Sequence, residues 1–174
     1  IPDGVQLTNN KNIVVKGNLS IETGATLENN NNSNNRILVY GDLTIAGSYS
    51  GDGTISFANH KKEHTITNSA NGTTITSLGI VGTQINFVCN SLLTIGTLTK
   101  EEGTIYLQNG SLSVGTYSQD SNIQADQNNL KLSEGTTISF TNQVDFNSVE
   151  IINKDESSVA NINATDFTTE TLNV

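Results

Sequence analysis

Apolar β-forming residues alternate with polar ones in many short runs along this chain. Examples are Leu19-Ser20-Ile21, Leu43-Thr44-Ile45, Ile55-Ser56-Phe57, Ile85-Asn86-Phe87 and Leu93-Thr94-Ile95. Successive side chains on a strand point to opposite faces, so this period of two gathers the apolar set on one buried face. No segment of ten or more residues carries a helical period, and Gly, Asn and Asp punctuate nearly every gap, as turns require. The pattern predicts an all-β chain of short strands.

The runs also recur as phrases. One is apolar-polar-apolar followed soon by Gly, as in Leu43-Thr44-Ile45-Ala46-Gly47, Leu93-Thr94-Ile95-Gly96 and Leu112-Ser113-Val114-Gly115. A second is Gly-Thr followed by Ile and a further apolar residue, as in Gly53-Thr54-Ile55-Ser56-Phe57 and Gly103-Thr104-Ile105-Tyr106-Leu107. A repeat built only of strands and turns marks a solenoid of stacked coils. The expected fold is a right-handed parallel β-helix of 18–25 residues per coil. At the usual strand spacing, about eight coils would make a rod about 40 Å long. The alternative is an antiparallel β-sandwich, for which Asn109-Gly110 and Asn71-Gly72 are hairpin signals.

Composition decides between order and disorder only together with this pattern. The 174 residues include 25 Asn and 23 Thr, with 34% hydrophobic residues. That is low for a globule but suits a thin solenoid whose coils each bury a few side chains. The net charge of −9 argues against nucleic-acid partners, which need basic side chains on the phosphates. No apolar run is long enough to span a bilayer, so direct membrane insertion of this segment is not expected. Cys89 stands alone in an apolar stretch and reads as a small buried hydrophobe.

Two segments break the pattern and are expected to be loops available for binding. Asn29 to Asn35 holds no apolar residue and offers Asn31, Asn32 and Asn34. Asn59 to His64 is the densest charged stretch and offers His60, Lys61, Lys62 and His64. His60 and His64, with Glu63, have the residue types of a metal site, but the flanks are strand and turn, so no metal or other cofactor is expected. Asp42, Asp52, Glu101, Glu102, Asp145, Asp155 and Asp166 are the carboxylates a glycosidic mechanism would draw on. Most sit beside turn residues, and Gly51-Asp52-Gly53 reads as a tight corner. Thr-x-Thr pairs at Thr65/Thr67, Thr74/Thr76 and Thr97/Thr99 read as solvated outer positions of strands. No catalytic residue is assigned.

The repeated Leu-Thr-Ile-x-Gly and Gly-Thr-Ile-x-Phe phrases, the abundance of Asn, Thr, Ser and Gly and the near absence of Cys resemble passenger domains of bacterial autotransporters, the type V secreted surface proteins. The resemblance covers roughly residues 10–145. It implies one β-helical segment over residues 1–174, cut from a larger passenger and displayed on the outer membrane or secreted. It also implies a non-enzymatic, adhesin-like role, with a host-cell protein or glycan, or another passenger copy, as partner. A purely structural stalk and a polysaccharide-active β-helix are the other readings.

Overall fold

The computed structural model describes residues 1–30, 36–58, 63–80, 84–100, 103–119, 128–153 and 159–174. Among these there is no helix. The strands are β1 (Gln6–Asn9), β2 (Ile13–Val15), β3 (Leu19–Ile21), β4 (Thr26–Asn29), β5 (Arg36–Val39), β6 (Leu43–Ile45), β7 (Ser48–Ser50) and β8 (Thr54–Phe57). They continue as β9 (Glu63–Asn68), β10 (Thr73–Ile80), β11 (Gln84–Lys100), β12 (Gly103–Gln119), β13 (Asn128–Ser133), β14 (Thr137–Phe140), β15 (Val144–Ile152), β16 (Asn161–Asn163) and β17 (Phe167–Asn173).

Every described pairing is parallel and joins a strand to its counterpart one coil later. β1 pairs β4, β2 pairs β5 and β3 pairs β6. Parallel neighbours cannot be joined by tight hairpins, so the sandwich alternative is excluded and the chain is a β-solenoid of about seven turns. The sheet has three faces. One, here the first face, carries β1, β4, β7 and later β14 and β16. The second carries β2, β5 and β8, and the third carries β3, β6 and β9. The long strands turn corners without losing pairing. β11 pairs β9 at Gln84–Cys89, then pairs β10 at Leu93–Ile95 on the first face and at Thr97–Lys100 on the second.

Each coil sends a few apolar side chains inward, and equivalents stack in columns. Ile85, Ile105, Leu130 and Val149 form one column, all buried. Ile37, Ile55, Leu78 and Leu98 form another. Leu7 and Leu172 occupy inward columns in the outermost coils and are 41% and 59% exposed, because only one coil covers each.

The corners explain the punctuation. Between the first and second faces, Gly51, Thr76, Gly96, Gly115, Thr141 and Thr165 follow one another up the stack. A Cβ on Gly96 would lie 2.6 Å from the Thr76 carbonyl oxygen, and one on Gly115 would lie 2.6 Å from that of Gly96. Where Thr replaces Gly, its hydroxyl donates to the carbonyl below: Thr76 to Gly51 at 2.9 Å, Thr165 to Thr141 at 3.2 Å, and Thr141 to Gly115. After Gly135 the chain holds no further Gly, and Thr141 and Thr165 take the corner that Gly96 and Gly115 occupy in earlier coils. The two Asn-Gly signals are also corners: Gly72 and Gly110 have φ of 70° and 74°.

These two glycines provide a test. A Cβ on Gly110 would overlap the Cys89 carbonyl oxygen, whereas one on Gly72 meets open space. Gly72→Ala should cost only the left-handed penalty, about 1–2 kcal/mol. Gly110→Ala should cost more, about 4 kcal/mol, because the corner must move off the coil below. Urea unfolding of the two variants checks the order.

Candidate functional site

The expected loop residues fall out differently. Asn31, Asn32, Asn34, His60, Lys61 and Lys62 lie outside the described residues. Asn29, placed at the start of a loop by its type, is instead fully buried in β4. Its amide Oδ1 accepts from Asn9 Nδ2 at 2.8 Å, and its Nδ2 donates to the Tyr49 hydroxyl at 3.2 Å. This ladder of polar groups satisfies side chains that would otherwise be costly to bury.

His64 is likewise not a loop residue. It opens β9 with Glu63 and is fully buried. Its Nδ1 lies 2.7 Å from the Gly41 carbonyl oxygen and its Nε2 lies 3.0 Å from that of Ala58. The ring packs on Phe57 with centroids 4.8 Å apart. With both nitrogens against backbone carbonyls, the imidazole fastens successive coils and is not presented to a ligand. Among the described residues, no group of three or more His, Cys, Asp or Glu is placed to hold a metal ion.

The carboxylates are spread out. Asp42 lies at the corner before β6, where its Oδ1 accepts from the Thr65 amide at 2.9 Å. Asp52 lies at the corner between β7 and β8, beside Gly51 with φ 102°, as the tight-corner reading expects. Asp145 stands on the second face, where it accepts from the Thr168 hydroxyl. Asp155 lies outside the described residues. The aligned row that glycosidic chemistry calls for is not formed by these three. The Thr-x-Thr pairs occupy three different faces, so they do not stack on one another.

What stacking does assemble is a polar column on the outer side of the third face. Thr65, Asn86, Tyr106, Lys131, Glu150 and Asn173 succeed one another in register. Lys131 Nζ is 3.0 Å from Glu150 Oε2 and 5.3 Å from the centre of the Tyr106 ring. The Tyr106 hydroxyl is 3.1 Å from Ser133 Oγ, and Gln84 Nε2 donates to Asn86 Oδ1 at 2.6 Å. The ion pair is 29% and 51% exposed on its two sides. Such a pair contributes at most about 1 kcal/mol, so a ligand can displace it cheaply. The column escaped the sequence reading because its members are 21, 20, 25, 19 and 23 residues apart, an irregular spacing that only the register resolves. No protein-family model, curated protein or solved structure matches this chain.

Cys89 behaves as the sequence suggests. It is 2% exposed, and burial pushes its thiol from 9.0 up to about 12. Burial also raises the phenols of Tyr49 and Tyr117. A pKa raised on folding stabilises the fold below the unfolded value and loses that contribution as pH rises through the folded one. Stability should therefore fall between pH 9 and 12 through Cys89 alone, by about 1.4 kcal/mol per pH unit at most. Cys89→Val should flatten a pH series of urea midpoints between pH 9 and 10, below the range in which the two phenols add to the fall. In the folded protein at neutral pH, iodoacetamide should leave Cys89 unmodified.

Proposed function

We propose that this chain is a non-enzymatic, adhesin-like segment of a bacterial surface-displayed passenger. In this reading it attaches to a host-cell protein or glycan through the outer side of its third face. The observation that carries it is the exposed part of that column, Tyr106–Lys131–Glu150. A half-buried aromatic ring gives an apolar platform with low conformational freedom, and the neighbouring ammonium and carboxylate groups supply directional hydrogen bonds. The rigid backbone ladder holds them in place before binding, which limits the entropy lost. The repeated phrases and the Asn- and Thr-rich composition support display at the cell surface, through their resemblance to autotransporter passengers.

The test is adherence of the purified protein to cultured host cells and to an immobilised glycan panel. A Tyr106→Ala/Lys131→Ala double variant should lose about tenfold or more in binding, equivalent to about 1.4 kcal/mol. Its urea midpoint should stay close to that of the parent. Equal binding by the two proteins would sink the assignment of this face. Absence of binding together with concentration-dependent dimers in sedimentation would favour a self-associating stalk.

A further inference from the structure

A lysine occupies an inward column where the coils below place hydrophobic side chains. On the second face Val39, Phe57, Ile80 and Lys100 follow in register, and Lys100 is 1% exposed. The intervening coil step from Phe57 to Ile80 extends the register of β8 on β10. Burying an ammonium is costly, and a hydrophobic residue would serve packing better. Lys100 Nζ lies 3.1 Å from Asn128 Oδ1, and Asn128 is 3% exposed. The same oxygen accepts from the Tyr117 hydroxyl at 2.6 Å. Asn128 Nδ2 donates to the Asp145 carbonyl, which fixes the orientation of the amide, since the flipped form would set oxygen against oxygen. Tyr117 packs between Phe140 and Phe146, with ring centroids 5.9 and 5.5 Å away, so the cluster is screened from water.

We propose that Lys100 and Asn128 are the two halves of a self-forming isopeptide cross-link. The Lys100 amine, in its unprotonated form, attacks Asn128 Cγ, and the Tyr117 hydroxyl stabilises the oxyanion that develops on Oδ1. The Nζ–Cγ bond forms and the Cγ–Nδ2 bond breaks. One proton passes from Nζ to Nδ2, which leaves as ammonia. An amine and a primary amide become a secondary amide and ammonia, with no oxidant or reductant. Burial raises the Tyr117 phenol, which keeps it protonated as a donor.

The experiment is the intact mass of the folded protein, read after denaturation. It should be lighter than the sequence mass by one ammonia, and a digest should contain a branched peptide joining Lys100 to Asn128. Lys100→Met and Asn128→Ala should each show the full sequence mass. Tyr117→Phe keeps the ring and should form the link about a hundredfold more slowly; an unchanged rate would overturn the assignment of the phenol. A succinimide at an Asn-Gly pair loses ammonia too, but it leaves Lys100 in a linear peptide and hydrolyses in mild base. That result, or a full-mass protein after prolonged incubation, would overturn the cross-link.

Discussion

The parallel backbone ladder between coils is the constraint on which the rest depends. It fixes neighbouring strands at about 4.8 Å, so each side chain lies directly over its equivalent in the next coil. A residue is therefore chosen against the residues above and below it. Inside, aliphatic columns such as Ile85–Ile105–Leu130–Val149 satisfy this by stacking like on like. At the corner between the first and second faces the same spacing leaves room for no side chain at Gly96 and Gly115, or for a threonine whose hydroxyl bonds the carbonyl below.

The ladder also makes buried polar groups tolerable. An amide donates in one direction and accepts in the other, so Asn9, Asn29 and Tyr49 can pass hydrogen bonds along the stack. Asn68 shows how far this goes. Its Nδ2 faces the carbonyls of Ala70, Ser91 and Leu92 at 3.1–3.2 Å, while its Oδ1 is the one buried side-chain polar atom without a partner among the described residues. Leaving that acceptor unmade costs about 1–3 kcal/mol. The contacts of Nδ2 with carbonyls in its own and the next coil hold the corner that follows β9.

The period of two made the strands legible, and the repeat made the stacking legible. What the phrases did not carry was the face. Leu19, Leu43 and Leu130 lie on the third face, whereas Leu93 and Leu112, in the same phrase, lie on the first. Each strand of the triangular coil solves the same local problem and converges on the same wording, so a phrase reports a strand and not a position in the coil. Asn29 and His64 have residue types that usually mark solvent, yet both are fully buried. Here the ladder supplies partners inside. The Tyr106–Lys131–Glu150 column was hidden because corner lengths vary from coil to coil.

A thin solenoid has a particular weakness. Each coil touches only its two neighbours, so stability is a sum of local terms and the stack can open from any weak interface. Around Lys100 polar groups replace part of the aliphatic column, and the side-chain contact of Lys100 with Asn128 joins the end of the second face to the start of the third face one coil later. Aromatic packing of Tyr117, Phe140, Phe146 and Phe167 strengthens the same coils from the other side. A covalent tie from Lys100 to Asn128 would hold the ends of residues 101–127 together even when the ladder opens. It would act chiefly by limiting the freedom of the unfolded chain, as other cross-links do. For a rod that bears its load along the stacking direction, a bond between successive coils is worth more than the same bond within one coil, because it resists the motion by which coils separate.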